Sequence, residues 1–311
     1  EVEVLVNGSE TKEDLTIFDL NQLVSRRNSH YNFSAQAPKQ RKNKVQKKNG
    51  LNVLDLYSGA GGLSCGFSQA GFSISGSVEL NKIYSKTHDY NFPSSKSLNK
   101  NISDIKINDF KNLIGEKIHV IIGGPPCQTF SSLGKGKLKS LGKNVLKDIR
   151  TFEYQNFISY VKTFNPDAFL MENVPGFMTQ NQGRIFEDFI QQFEGTDYKL
   201  SYKIISTADY GVPQFRKRLF VIGIKSDTFQ FPHTTHTDKN NSNLFNEHKA
   251  HYVSVKDSLS DLPDINDNWR ISKMPYKQNN QLSDYQRRIR NGSNFVYNNI
   301  CRLSNDDAKE M

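Results

Sequence analysis

An α/β fold built on a mostly parallel sheet flanked by helices is what this sequence predicts, and three observations predict it. From Leu51 onward, short apolar, β-rich runs alternate with stretches whose apolar residues recur at three- and four-residue spacing, the pattern of strands joined through helices. The first run leads into a glycine-rich turn, Ser58-Gly59-Ala60-Gly61-Gly62, directly before a helix-like stretch. Two later runs end in chemically loaded segments, Gly123 to Gln128 and Glu172 to Gly176. The carboxyl ends of parallel strands are where such sheets carry their sites.

The elements follow in order. Residues 1–49 read as an N-terminal extension: Ser25 to Asn49 holds no acidic residue, is rich in Asn, Gln, Lys and Arg, and contains Pro38, which suits a linker or arm. Within it, only Leu15 to Val24 has helix-like spacing. Strands are expected at Asn52 to Tyr57, Ser73 to Glu79, His119 to Ile122, Ala168 to Met171 and Arg218 to Ile224. Helices are expected at Gly62 to Ala70, Lys82 to Tyr90, Phe152 to Phe164 and Arg184 to Phe193, each with an apolar stripe. Residues 50–225 thus form one catalytic, cofactor-binding domain. Residues 226–311, rich in Asn, Asp, His and Pro, are expected to be loop-rich.

A formal net charge of +9 points to a polyanionic partner, because clustered cations release counterions from phosphates. Lys39, Arg41, Lys42, Lys44, Lys47 and Lys48 form one cluster, and Lys135, Lys137, Lys139, Lys143 and Lys147 another. No apolar run approaches the roughly 18 to 20 residues that span a bilayer, and the N-terminus lacks the order of a secretory signal, so no membrane partner and a cytoplasmic address are expected. Cys65, Cys127 and Cys301 are odd in number and widely spaced, which suggests neither a disulfide framework nor a zinc site. His233 and His236 have no further ligand at a convincing spacing, so no metal is expected.

At the glycine turn the backbone can approach a ligand closely, and the following helix start offers unpaired N–H groups. Glu79, at the end of the next strand, is placed to take two ribose hydroxyls, and Asp104 could accept from an adenine amino group. No Gly-Lys-Ser/Thr follows the turn, so this is not a phosphate-binding P-loop, and a nucleoside without a pyrophosphate fits better. At the second site, Gly123-Gly124-Pro125-Pro126 holds the Cys127 thiol in a stiff, side-chain-poor turn, which suits a nucleophile meeting a flat ring at a fixed angle. Glu172 brings a carboxylate to a second strand end, and Gln214-Phe215-Arg216-Lys217-Arg218 sets two arginines at alternate positions, on one side of an extended segment.

These four motifs, in this order, closely resemble the C5-cytosine DNA methyltransferases typified by bacterial restriction-modification enzymes. The likeness is strong over Leu51 to Ile224 and continues weakly through Val253 to Leu259 and Leu262-Pro263. It implies a Rossmann-like S-adenosylmethionine-dependent methyltransferase fold, S-adenosyl-L-methionine as cofactor with S-adenosyl-L-homocysteine as product, and double-stranded DNA as partner. By resemblance Cys127 is the nucleophile that adds to cytosine carbon 6, Glu172 holds or protonates N3, Arg218 grips the O2, and Arg216 supports Glu172. The addition makes carbon 5 an enamine carbon able to take the methyl group. Cofactor contact falls to Tyr57, Ser58, Gly59, Ala60, Gly61, Gly62 and Leu63, to Glu79, Asp104 and Ile105, and to Pro125. The lysine-rich stretch after Cys127 resembles a loop that closes over DNA, and the target base is expected to leave the helix.

The chain departs from the family in stopping at Met311, before a target-recognition region and two last motifs. A second polypeptide carrying them, as in split members, or a shortened chain would account for that. The alternatives are therefore a subunit inactive without its partner, or a tRNA cytosine-5 methyltransferase, since some of those share this catalytic core.

Overall fold

The computed structural model describes residues 50–126, 153–225, 227–238, 249–264, 273–278, 281–290, 292–297 and 299. The extension, both lysine-rich clusters, Cys127 and Cys301 lie outside these residues. The described chain groups into two compact units, one running to Ile204 and taking in Leu219–Gln230, the other comprising Ile205–Arg218 and the chain from Phe231.

The first unit alternates as expected: β1 (Asn52–Leu56), α1 (Gly62–Gln69), β2 (Ser73–Val78), α2 (Lys82–Asn91), β3 (Lys96–Leu98), a 3-10 turn at Ile102–Asp104, α3 (Ile107–Ile114), β4 (Val120–Gly123), α4 (Glu153–Phe164), β5 (Ala168–Asn173), α5 (Gly176–Thr179), α6 (Arg184–Gln191), β6 (Lys199–Ser206) and β7 (Lys217–Ile224). The sheet order is β3-β2-β1-β4-β5-β7-β6. β1 is parallel to β2 and β4, and β4 is parallel to β5. β7 runs antiparallel to β5, pairing Glu172 with Phe220 and Asn173 with Leu219. Strand order therefore reverses between β1 and β4, which opens a crevice at their carboxyl ends.

Each expected strand and helix appears within a few residues of its expected ends. β5 reaches two residues past Met171, so that Glu172 and Asn173 belong to the strand itself. Four strands and α-helices of this unit were not expected: β3, only three residues long; α3; the four-residue α5; and β6, whose Lys-Leu-Ser-Tyr-Lys-Ile-Ile-Ser lies on the sheet edge with its middle exposed. β3, α5 and β6 are short or lie at the edge and bury too little for an apolar pattern to mark them, whereas α3 carries Ile107, Phe110 and Ile114 at helical spacing and buries the last two in the core.

The central strands are buried on both faces, the reason apolar residues stand side by side in them. Leu54, Leu56 and Ile121 enter the larger core with Phe157, Val161, Phe169 and Phe189. Val53 and Ile122 face the opposite way, into a smaller cluster with Ile74, Phe67 and Phe72. Alternate residues serve opposite layers, as strand geometry requires. Phe169 anchors the larger layer, stacked on Phe193 at 4.7 Å and edge-on to Tyr198 at 5.3 Å.

In the second unit, the stretch after Lys225 holds short elements among its loops: β8 (His236–Thr237) parallel to β9 (Ala250–His251), α7 (Val255–Leu259), β10 (Lys273–Pro275) antiparallel to β11 (Phe295–Tyr297), and α8 (Asp284–Arg290). A capping box between Ser254 and Asp257 starts α7. The ion pair of Arg290 with Asp261 (2.7 Å), whose side chains are 15% and 3% exposed, ties α8 to the turn after α7. Elements of two to seven residues are too short to show a period.

Candidate active site

The glycine turn begins at the carboxyl end of β1. Tyr57 adopts a left-handed backbone (φ 58°), as do Gly59 and Gly61. That conformation is uncommon for a residue with a side chain and persists only where the surroundings impose it. Here the Tyr57 hydroxyl donates to the carboxylate and carbonyl of Glu153, each at 2.9 Å, which fastens the turn to the start of α4. A Cβ at Gly61 would lie 2.7 Å from the Phe92 ring, so that turn can close only without a side chain.

Glu79 follows β2. One carboxylate oxygen accepts from Gly59 N–H at 2.8 Å and the other from Asn81 N–H at 2.7 Å. Each oxygen keeps a lone pair for a further donor. The Glu79 N–H donates to Leu98 O (3.1 Å), and the Asn99 side chain clasps Glu79 O and Leu80 O, both at 2.9 Å. Leu98 in turn lines a depression of about 390 Å³ shared with Asp104, Ile105, Phe110 and Leu113. Asp104 is exposed and Ile105 half-buried. The tips of β1, β2 and β3 thus carry the turn, the acid and the Asp104-Ile105 pair. Leu80 escaped the sequence reading: it is 67% exposed, an apolar side chain immediately after the acid.

Beneath the turn lies a buried polar chain that also went unread. Ser64 Oγ donates to Asp55 Oδ2 at 2.6 Å and sits 3.1 Å from His88 Nε2. On the other side of the ring, His88 Nδ1 is 3.2 Å from Ser77 Oγ, which bonds Ser97 at 2.8 Å. Asp55 Oδ1 and Ser58 Oγ are buried with no hydrogen-bond partner, an arrangement that favours a polar ligand above them.

Burial pushes the Asp55 carboxyl up to about 7, against the Ser64 hydrogen bonds that pull it down, with the Glu79 charge adding to the rise. Burial holds the His88 imidazole below its ordinary value. Folded Asp55 thus keeps a proton that the unfolded chain releases above about pH 4, and its contribution to stability is lost as pH rises toward 7. His88 works the other way, its contribution falling as pH drops below about 6.5. Asp55→Asn is therefore expected to raise Tm relative to the unmodified chain by an amount that grows from pH 5 to pH 8. Melting curves that differ by a constant amount across that range would refute this.

At the second site, Gly123 is the last residue of β4, paired with Leu56 on one side and Met171 on the other. A Cβ on Gly124 would sit 3.1 Å from Glu172 Oε2, so the bare glycine leaves room for the carboxylate that β5 delivers beside it. Asn173, 2% exposed, reaches back to Pro125 O at 3.5 Å and caps its own turn by accepting from Val174 N–H at 2.9 Å. Pro125 is buried. Cys127 is one residue past the last described position of this turn, Pro126.

Arg216 is exposed, and Arg218 is the second residue of β7, donating to Lys217 O at 2.8 Å. His236 packs against Gly211, whose added Cβ would lie 2.6 Å from the ring, and its Nδ1 is 2.8 Å from Thr235 Oγ1. Among the described residues no three His, Cys, Asp or Glu side chains converge as metal ligands do.

A seven-stranded sheet in this order, with one antiparallel strand, a glycine turn closed by an acid and a second loaded turn beside the switch point, is the Rossmann-like fold of S-adenosylmethionine-dependent methyltransferases. Within that class the chain belongs to the C-5 cytosine-specific DNA methylase family, whose model matches residues 51–309. Type II methyltransferase M1.HphI of Haemophilus parahaemolyticus is 35% identical over 218 residues, 70% of this chain and 54% of that protein. Type II methyltransferase M.AquIA of Picosynechococcus sp. is 34% identical over 226 residues, 68% of this chain and 88% of that one. The solved structure of a prophage-encoded E. coli protein, described as a DNA modification methyltransferase, superposes with a TM-score of 0.63 at 29% identity, covering 84% of this chain and 74% of that one. The chain spans about half the length of M1.HphI.

Proposed function

We propose that this chain is the catalytic part of a DNA (cytosine-5-)-methyltransferase of the restriction-modification type, using S-adenosylmethionine and working on double-stranded DNA in the bacterial cytoplasm. The observation that carries the reading is the placement of Glu172 over Gly124 (3.1 Å from its added Cβ), beside the turn that leads to Cys127. An acid beside the turn that leads to a thiol answers the inertness of cytosine carbon 5.

In this reading the Cys127 thiolate adds to carbon 6 of a cytosine turned out of the duplex. Glu172 gives a proton or a hydrogen bond to N3, which stabilises the charge that the addition puts into the ring. Arg218 holds the O2, and Arg216 supports Glu172 and the neighbouring phosphates. Carbon 5 then takes the methyl group, loses its proton to a base, and the thiolate leaves as the ring regains its double bond. The cofactor supplies a methyl group made electrophilic by a sulfonium. Tyr57 to Leu63 would cradle it, Glu79 would take the ribose hydroxyls with its spare lone pairs, Asp104 and Ile105 would meet the adenine, and Pro125 would line the path toward the base. The partnerless Asp55 Oδ1 and Ser58 Oγ support a polar ligand at this turn.

The experiment is transfer of labelled methyl from S-adenosylmethionine to mixed-sequence duplex DNA and, in parallel, to tRNA. Label recovered as 5-methylcytosine in DNA is the expected result. Label in tRNA alone would overturn the choice of substrate, and cofactor binding without transfer to either would mean that this chain needs a partner subunit or further residues of its own protein for activity.

A further inference from the structure

We infer that Phe215 is a base-stacking contact for the DNA strand, a role that rests on the reading of the chain as a DNA methyltransferase. Among the described residues it is the most exposed large apolar side chain, at 81%. A single exposed phenylalanine is ordinary; one held on a braced mount and followed directly by two cations is not. Thr207 Oγ1 donates to Gln214 O at 2.6 Å, and Thr207 N–H donates to Arg216 O at 3.0 Å. Gln214 N–H donates to Val212 O at 2.7 Å, and Gly211 turns the chain with a left-handed backbone (φ 83°) against His236. The Tyr252 ring stands edge-on to Phe215 at 5.5 Å, its own hydroxyl donating to Asp209 at 2.7 Å.

The ring is thus pre-positioned before any partner arrives, and little further ordering is needed on binding. Arg216 and Lys217, both exposed, follow it directly. A fixed aromatic beside cations is the chemistry of a nucleic-acid surface: the cations neutralise phosphates, and the ring offers a face that any unstacked base can use. Extruding a base leaves neighbours that lack a stacking partner, which an apolar ring can replace.

The test is fluorescence anisotropy with a labelled mixed-sequence duplex carrying mismatched cytosines, across a salt series. Phe215→Ala is expected to weaken binding about ten-fold without changing the slope of log affinity against log salt. Lys217→Ala is expected to reduce that slope by about one. Phe215→Tyr should restore affinity while Phe215→Leu should not, and unchanged melting temperatures establish that the fold is intact. Equal affinity of Phe215→Ala and the unmodified chain overturns the inference alone. So does rescue by leucine, which would make the contact one of apolar bulk and not of ring stacking. Failure of the unmodified chain to bind DNA overturns both this inference and the DNA reading.

Discussion

Cys127→Ser is expected to abolish methyl transfer, by on the order of 10³-fold or more, while leaving cofactor affinity within about two-fold. A thiol ionises near pH 8.5 and its thiolate is a strong nucleophile, whereas a serine hydroxyl stays protonated and would need a base to act. The groups proposed to meet the cofactor stand chiefly just beyond β1 and β2, where the Gly59–Glu79 bond of 2.8 Å closes the turn, and the thiol is not among them. Activity measured with labelled cofactor, and affinity measured by calorimetry, separate the two roles. Equal loss of both would mean that Cys127 supports the fold or the cofactor site, and the covalent mechanism would fall.

Gly123→Ala is expected to act on the fold instead, lowering Tm by roughly 5 to 10 °C and reducing transfer and cofactor binding together. A Cβ there would lie 2.6 Å from Leu56 O, 3.1 Å from the Phe157 ring and 3.2 Å from Leu56 Cβ. The nearest of these is backbone of the adjacent parallel strand, so relief requires β1 and β4 to part where both active turns begin. Gly66→Ala supplies the contrast. Gly66 lies in α1 with no atom within 4 Å of its added Cβ, so alanine should stabilise the chain by about 0.5–1 kcal/mol. A Gly123→Ala variant melting at the unmodified temperature would refute the packing argument.

The sequence by itself determined the α/β class, the strands β1, β2, β4, β5 and β7, and the family. It could do so because central parallel strands are buried on both faces: Val53 and Leu54, adjacent in sequence, enter opposite cores, so apolar residues stand side by side and the run stands out. The glycine turn, Glu79 and Glu172 were legible for a related reason. Each follows or ends such a run, where position in the chain already implies position at the sheet edge.

Only the tertiary structure decided the rest. The antiparallel seating of β7 between β5 and β6 depends on pairings such as Glu172 with Phe220, made between residues far apart in sequence. The chain Asp55–Ser64–His88–Ser77–Ser97 joins two strands, two helices and the edge of the sheet, and no local spacing announces a hydrogen bond across 24 residues. Leu80 and Phe215 are apolar letters that composition assigns to a core. Solvent exposure is a property of everything packed around a residue, and that is settled only when the chain has folded.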